Sequence, residues 1–375
     1  MTFANQLVLV SNRPIPNLTP ALDRSFGPKK VFLLMDGTQN RQAAMLEGVY
    51  FRFGIEVERI MVPDHFRMES VKSAVQKLCS QFGPDDIALN VSCGSPSQRC
   101  GSFSVFLNEN RPVFCVEDNT DRLIWIHPSE RAEHPLEDRM RITPFLEAFG
   151  NKVLERRTDH HLPVEWKDLQ DYLVKDAGVL QHAISVMNYY ASRGEWEEHP
   201  QISGRDWLSR PFRDLLKKTV EEGLIVLNSK NITFTSDRAR RFLNGDWLEI
   251  YVYQHLQNLR QHCGIHDLAW GLEFESENGN KNEMDVVFLA DNKMHFIECK
   301  TSNMTSKKKK NYGLGVLYKL ETVTDQAGIH AQAMLISYKD LKDSDKQRAK
   351  DLKVKTICST KLKYLDKYLK EWIGI

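Results

Sequence analysis

Two acidic residues lie in neighbouring segments that have the composition of β-strands. Residues 282–290 and 293–300 are strand-like runs, and Asp291–Asn292 between them suits a two-residue hairpin turn with positive φ. If the residues that flank this turn face each other, Asp285 lies opposite Glu298 on the neighbouring strand. Directly opposed residues of antiparallel strands share a face, with Cβ atoms about 5 Å apart.

The same alternation brings a basic group to the two carboxylates. Lys300 is two residues beyond Glu298 and therefore shares its face, whereas Cys299 points to the other side of the sheet. Two carboxylates held this close repel each other unless a proton or a cation lies between them. A divalent metal suits the position, because Mg²⁺ favours one or two carboxylates together with water and substrate phosphate.

This constellation resembles the PD-(D/E)XK nuclease superfamily. Asp285 matches the Asp of that motif, Glu298 its (D/E) and Lys300 its Lys, whereas Met284 stands where the motif has Pro. The resemblance implies that the two carboxylates hold Mg²⁺ or Mn²⁺, which polarises the scissile phosphate and lowers the pKa of a bound water. It also implies that Lys300 positions that water and offsets the charge of the transition state.

A simpler interpretation of the same residues stays open. Charged residues make up 27% of the chain, so an Asp followed by Glu-x-Lys arises easily by chance. In the predicted register Glu283 falls opposite Lys300, and a cross-strand ion pair would also explain the lysine. Against this, Glu298 and Lys300 end an apolar strand, where a surface hairpin should be polar along one whole face.

Two helical residues are further candidates for the same site. A helix is predicted from an N-cap at Asp246, with Trp247, Leu248 and Tyr251 on its apolar face. Glu249 lies between apolar neighbours, and the resemblance implies that it is a third carboxylate at the metal; a helix-edge Glu in solvent is the alternative. Downstream, residues 318–321 read as helix, where Lys319 is a candidate second basic group.

Composition indicates a globular protein of two or three domains. The chain has 375 residues, 41% of them hydrophobic, and no apolar run approaches the ~20 residues of a membrane span. No signal peptide is recognisable at the N-terminus. Seven cysteines are scattered without a CxxC pair, which favours free thiols in a reducing cytoplasm and disfavours a cysteine zinc site.

The net charge of +1 conceals an asymmetry. Residues 300–375 hold 17 Lys and Arg against 8 Asp and Glu, so this segment carries +9 and the rest of the chain −8. A basic segment after the candidate site suits attraction to a phosphate backbone. Its densest part is the run Lys307–Lys310, which is also typical of a solvated loop.

The first ~125 residues alternate between strands and helices, as in a doubly wound, mostly parallel sheet. The predicted strands are residues 7–11, 30–36, 55–62, 86–92 and 112–117, with an antiparallel edge at 123–126; the helices are 40–53 and 67–81. Such sheets bind ligands at the carboxyl ends of their strands, near the point where the strand order reverses.

Three polar loops follow these strands and are candidates for phosphate or ribose contacts. Neither GxGxxG nor GxxxxGK[ST] is present, which disfavours ordinary NAD and ATP sites. The candidate ligand residues are Ser11, Asn12, Pro14, Asn17, Asp36, Gly37, Thr38, Gln39, Ser92, Cys93, Gly94, Ser95 and Ser97.

The middle of the chain is predicted to be largely helical. Helical runs over 164–190 and 207–218, the latter broken or kinked at Pro211, precede a hairpin over 223–235. Helices followed by a hairpin and another helix resemble a winged helix. This unit is interpreted as a linker, with DNA binding and dimerisation as the alternatives.

The whole chain resembles the CARF-domain nuclease effectors of type III CRISPR systems. The resemblance rests on the loop 11–17, Gly245–Glu249, Asn282–Asp285, Ile297–Thr301 and the residues around Lys319. It implies an α/β protein with a Rossmann-like CARF domain, a winged-helix-like linker and a C-terminal PD-(D/E)XK domain. The expected boundaries are 1–130, 131–244 and 245–375.

The resemblance also implies the signal that the protein senses. Cyclic oligoadenylate, with the tetra-adenylate ring as the expected form, would bind the loops of a homodimer, because a fourfold ring suits a twofold axis. Binding would shift the population towards a state that cleaves DNA or RNA with little sequence preference. Relatives carry Gly-Gly-Thr-Lys-like residues where this chain has Cys93–Ser97, which puts the ring size and the contacts of that loop in question.

Two other functions fit the sequence. A constitutive repair or restriction-like nuclease would use the N-terminal domain only as a scaffold. A nucleotide-sensing DNA-binding regulator would have an inactive nuclease domain, against which the intact Asp285, Glu298 and Lys300 argue. The residues do not decide between DNA and RNA, nor whether the N-terminal domain degrades its ligand.

Overall fold

The computed structural model describes residues 3–63, 67–117, 120–158, 164–302 and 312–374. The predicted Lys307–Lys310 loop lies outside these residues. None of the described helices is both long and apolar enough to span a membrane. No disulfide joins the seven cysteines, all of which are among the described residues.

The N-terminal sheet has seven strands in the described part of the chain. The strands are β1 (Asn5–Leu9), β2 (Lys30–Met35), β3 (Glu56–Met61), β4 (Ile87–Asn90), β5 (Val113–Glu117), β6 (Arg122–His127) and β7 (His134–Pro135). Their spatial order is β3-β2-β1-β4-β5-β6-β7, with β1 to β5 parallel and β6 and β7 antiparallel. The predicted parallel sheet and its antiparallel edge are confirmed.

Helices cover both faces of this sheet because its central strands are apolar on both sides. On β1, Leu7 and Leu9 face one apolar cluster, and Val8 faces another. The helices are α1 (Ile15–Leu22), α2 (Asn40–Arg52), α3 (Met68–Cys79) and α4 (Pro96–Asn108).

Helix α1 corrects the prediction that residues 11–17 form one loop. The loop ends at Pro14, and Asn17 lies inside the helix, fully buried. Its proline-rich sequence hides the helix, since Pro is usually read as a breaker; here Pro16 occupies the first turn, where its missing N–H is tolerated.

The middle region contains the predicted helices and hairpin. They are α6 (Val164–Lys175), α7 (Ala177–Arg193), α8 (Gly204–Trp207), α9 (Arg210–Glu221), the antiparallel pair β9 (Ile225–Asn228) and β10 (Asn231–Phe234), and α10 (Asp237–Arg241). The predicted break near Pro211 is confirmed. The helical run is divided into α8 and α9, and Pro211 lies in the first turn of α9.

The interpretation of residues 131–244 as one linker needs correction. β7 belongs to the N-terminal sheet, and β8 (Lys152–Arg157) pairs with the C-terminal sheet; between them lies α5 (Ile142–Ala148). β8 is a charged edge strand and carries no long apolar run by which its sequence could predict it.

The C-terminal sheet has six strands among the described residues. Its members besides β8 are β11 (Ile265–Glu275), β12 (Lys281–Ala290), β13 (Lys293–Lys300), β14 (Gln332–Ser337) and β15 (Lys355–Cys358), in the order β15-β14-β13-β12-β11-β8. Helices α11 (Trp247–Leu259) and α14 (Leu365–Ile373) cover one face, and α12 (Tyr312–Gln326) and α13 (Asp343–Asp351) the other.

The two sheets share a continuous apolar core. One cluster of buried side chains runs from Leu46 of α2 through Phe145 of α5 to Leu272 of β11 and Phe296 of β13. A displacement of the N-terminal helices therefore meets close-packed side chains of the C-terminal sheet.

Candidate functional site

The hairpin has the predicted register. Ala290 pairs with Lys293, and both turn residues have positive φ, 53° at Asp291 and 50° at Asn292. Five residue pairs connect β12 and β13, ending at Val286 and Ile297. This regular ladder is what carries the next residues of both strands to one place.

Beyond the last residue pair of β12 and β13, the side chain of Asp285 connects the two strands. The carboxylate of Asp285 accepts a hydrogen bond from the backbone N–H of Cys299 at 2.6 Å. Glu298 and Asp285 lie on the same face, whereas the Cys299 thiol is buried among the apolar side chains of the opposite face, as predicted. The bond fixes one carboxylate beside the other.

Both predicted lysines reach these carboxylates. The Lys300 ammonium lies 2.6 Å from one oxygen of Glu298 and 3.8 Å from Asp285 Oδ2. Lys319, on α12, donates to the other Glu298 oxygen at 2.9 Å. The ion pairs favour the catalytic interpretation of Lys300 over a pair with Glu283, whose cross-strand partner on β11 is Glu273.

Burial and neighbouring negative charges raise the pKa values of two carboxyl groups at this site. Burial raises the pKa of Asp285 to about 7, and the negative charge of Glu298 adds to the effect, while Lys300 opposes it. Burial raises the pKa of Glu249 well above its usual range, and the charges of Asp285 and Asp246 raise it further. Glu249 therefore lies close enough to Asp285 and Glu298 for their negative charges to affect its pKa.

The start of α11 differs from the prediction. Asp246 has helical φ and ψ and makes no side-chain cap; a π-helical turn over Phe242–Asp246 precedes the helix. Gly245 has φ 140°, and a Cβ there would lie 2.8 Å from Thr301 Oγ1. Only a glycine lets the helix approach the end of β13 so closely, which brings Glu249 to the site.

The donors present suit a hard divalent cation. Carboxylate oxygens are the ligands that Mg²⁺ and Mn²⁺ prefer, and because burial raises the pKa values of Glu249 and Asp285, a bound cation would stabilise their ionised forms. Among the described residues, no group of three or more His, Cys, Asp or Glu side chains has the spacing of a metal cluster. Here Lys300 and Lys319 supply the positive charge next to Glu298.

The predicted ligand loops flank the point where the strand order of the N-terminal sheet reverses. The chain runs outward from β1 to β2 and β3 on one side, and β4 lies on the other side of β1. The loops after β1 and β4, residues 11–14 and 92–95, therefore border the crevice in which such sheets bind ligands. The loop after β2, residues 36–39, lies next to them.

Several of the predicted ligand residues hold the loops together. Asp36 caps the turn through the N–H of Thr38, Gln39 donates to Val10 O, and Ser95 caps α4. Pro14, Asn17, Asp36 and Cys93 are buried; Asn12, Gly37 and Thr38 are exposed; Ser11, Gln39, Ser92, Gly94, Ser95 and Ser97 are partly buried.

Gly94 is required by the loop after β4. Its φ is 90°, and a Cβ would lie 2.6 Å from Leu9 Cβ. Any other residue would displace the end of β1, where the first ligand loop begins.

Sequence reasoning missed residues that anchor the site from a distance. Asn188 of α7 bonds the hydroxyl of Thr301, next to Lys300. Asn292, read from the sequence only as a turn former, is 3% exposed and bonds Asp121 of the N-terminal domain. Both are long-range contacts, and no local pattern signals them.

The chain is similar to one known protein family and to several solved structures. Residues 236–375 match the family model described as Card1-like, endonuclease domain. No curated protein sequence gives a significant match.

Among solved structures, the protein VC1899 from Vibrio cholerae is 28% identical with a TM-score of 0.90, over 98% of this chain and 97% of that one. Can2 from Sulfobacillus thermosulfidooxidans, solved with cyclic tetra-adenylate, is 24% identical with a TM-score of 0.83, over 99% and 98%. A type III CRISPR defence DNA nuclease activated by cyclic oligoadenylate is 17% identical with a TM-score of 0.55, over 89% of this chain and 45% of that one. Residues 236–375 are therefore similar to a Card1-like endonuclease domain, and the chain as a whole shares the fold of VC1899 and of Can2.

Proposed function

We propose that this protein is a metal-dependent endonuclease that cyclic tetra-adenylate activates in type III CRISPR defence. The observation that carries the proposal is the cluster of Asp285, Glu298, Lys300 and Lys319 within a Card1-like endonuclease domain. The structural likeness to Can2, which was solved with cyclic tetra-adenylate, supports the choice of activator.

The chain's own residues divide the work at the nuclease site. Asp285 and Glu298, with Glu249, would hold Mg²⁺ or Mn²⁺, which supplies Lewis acidity and a water of lowered pKa. Lys300, whose ammonium lies between the two hairpin carboxylates, orients the attacking water. Lys319 approaches from α12 and offsets the negative charge that grows on the phosphate oxygens.

The N-terminal loops form the activator site in this proposal. Asn12, Gly37 and Thr38 are exposed in the protomer and Ser11 is partly exposed, so they offer hydroxyl, amide and backbone groups to phosphates and riboses. A second copy of the chain would present the same loops across a twofold axis, so the active species is a homodimer.

The substrate is a nucleic acid held mainly through its backbone. The excess of positive charge after residue 300 favours phosphate contacts, which carry no sequence information. DNA and single-stranded RNA both offer the phosphodiester that this site would hydrolyse.

The proposal is tested by cleavage of supercoiled plasmid and single-stranded RNA, with Mn²⁺ or Mg²⁺, with and without cyclic tetra-adenylate. Glu298→Gln should abolish cleavage, because it removes a proposed metal ligand. Glu371→Gln makes the same change at an exposed residue of the same domain, whose nearest cation is 3.8 Å away, and should leave the rate unchanged. Equal rates with and without the ring would instead support a constitutive nuclease.

A further inference from the structure

The tip of the catalytic hairpin is inserted into the N-terminal domain. Asn292 Nδ2 donates to Asp121 Oδ2 at 2.6 Å and to the carbonyl of Glu137 at 3.3 Å. Its Oδ1 accepts from the N–H of Met140 at 3.3 Å. Three bonds to a side chain that is 3% exposed make this an anchored contact between the two domains.

Asp121, which accepts a hydrogen bond from Asn292, is also bonded to a helix near the proposed activator loops. Asp121 lies in the turn before β6, with φ 47°, and its second oxygen accepts from Thr19 Oγ1 at 3.1 Å. Burial raises the pKa of Asp121 to about 6, while the bonds from Asn292 and Thr19 favour the ionised form. The Asp121 carboxylate therefore connects Thr19 of the N-terminal domain to the turn of the hairpin in the C-terminal domain.

Thr19 belongs to the helix that follows the first ligand loop. Helix α1 begins at Ile15, directly after residues 11–14, and Thr19 is 2% exposed. Asn17 Nδ2 donates to Leu9 O at 2.9 Å, which ties the helix to the end of β1, and Tyr50 donates to the backbone of Asn17. A shift of the loop therefore moves α1 and reaches Asp121.

At the other end, the hairpin is a stiff connection. Glu298 is six residues from Asn292, about 20 Å along a strand, and the ladder between them is regular. A displacement at the turn is carried to the end of the strands because the paired strands resist bending.

We propose that Asn292 is the positioning residue that transmits the state of the ligand loop, through Thr19 and Asp121, to the catalytic carboxylates. The inference rests on the proposed activation by the ring and names the contact that carries it. A cavity of about 410 Å³ borders this contact, lined by Asn12 and Ile15 on one side and Asn292 on the other. The ligand loop and the turn therefore face the same space.

The matched pair Asn292→Gly and Asp291→Gly tests the proposal. Both place glycine at a positive-φ position of the same turn, where it adopts the backbone without strain. Only the first removes the side-chain bonds to Asp121, Glu137 and Met140; the Asp291 side chain is 67% exposed. The measurement is the ratio of cleavage rates with saturating cyclic tetra-adenylate and without it.

We expect Asn292→Gly to lower this ratio at least 10-fold, about 1.4 kcal/mol of coupling, while Asp291→Gly stays within about 2-fold of the unmodified chain. Thr19→Val should lower the ratio as well, and the double variant with Asn292→Gly should be no worse than the single one, because both break one pathway. The rate without the ring should stay unchanged, which separates lost coupling from a damaged site.

Equal ratios in the two glycine variants would overturn the proposal. So would a fall of the Asn292→Gly rate by the same factor with and without the ring, since that result means structural damage only. Absence of ring activation in the unmodified chain would contradict the proposed function itself, and the same assay distinguishes that outcome.

Discussion

Lys319→Met tests whether the helix that follows the hairpin contributes to catalysis. Lys319 donates to Glu298 at 2.9 Å, and Met retains most of the length and apolar stem of the lysine while removing the charge. We expect kcat to fall while substrate binding, which depends on many phosphate contacts, changes little. Single-turnover cleavage at saturating cyclic tetra-adenylate measures the chemical step directly.

The magnitude follows from the geometry. Removing one preorganised donor from a site of this kind costs about 10²- to 10³-fold in kcat, or about 2.7–4 kcal/mol. Because Lys300 remains 2.6 Å from Glu298, the loss should lie near the lower limit, at about 10²-fold. The Lys319 side chain is 35% exposed and its partner Glu298 is 3% exposed; because Lys300 still compensates the Glu298 charge after the substitution, the variant should remain folded.

Lys346→Met is the matched control. Lys346 lies in the same domain and pairs with Asp343 at 3.1 Å, but its side chain is 47% exposed, and its helix, α13, carries none of the catalytic residues named above. Its loss should change neither kcat nor stability measurably. A catalytic contribution of Lys319 is refuted if Lys319→Met keeps more than half of the normal kcat, or if the two variants lose activity equally.

Three further predictions concern the activator loop, the metal and pH. Gly94→Val should weaken binding of cyclic tetra-adenylate, measured by calorimetry, because its side chain would collide with Leu9, while metal binding at the nuclease site stays intact. Glu249→Gln should weaken Mn²⁺ binding in a metal titration and stabilise the metal-free protein at pH 8, because it removes a carboxylate whose pKa is raised by burial and neighbouring charge. Burial lowers the pKa of His295 to about 3 in the folded protein. Below about pH 6.5 the unfolded chain therefore takes up a proton that the folded chain does not, and the free energy of unfolding decreases as the pH is lowered. Between pH 7.5 and pH 5 the unmodified chain should lose about 2 kcal/mol more than His295→Phe in urea unfolding; equal losses would contradict a neutral His295.

The catalytic hairpin was predictable because its signals are local. A two-residue turn fixes the register, and the period of two then decides which side chains share a face, so Asp285, Glu298 and Lys300 converge as expected. Lys319 reaches the site because α12 crosses the sheet on the same face as Glu298. The sequence shows that helix but not its direction.

The elements that were mispredicted depend on distant partners. Strand β8 is charged and becomes a strand only because β11 offers an edge to pair with. Helix α1 has prolines in place of the usual apolar repeat, and buried contacts hold it against β1. Asn292 reads as a turn former, which it is, but its bond to Asp121 joins residues 171 positions apart and follows from no local pattern.

The most direct test of the account follows ring binding and cleavage in the same samples. Cyclic tetra-adenylate is titrated into the protein with Mn²⁺, and the bound ring and the cleavage rate are measured at each concentration. We predict that the rate rises in step with occupancy, and that Glu298→Gln abolishes cleavage while the affinity for the ring stays unchanged. Full cleavage before any ring is bound, or cleavage that survives Glu298→Gln, would contradict a ring-gated nuclease site on the hairpin.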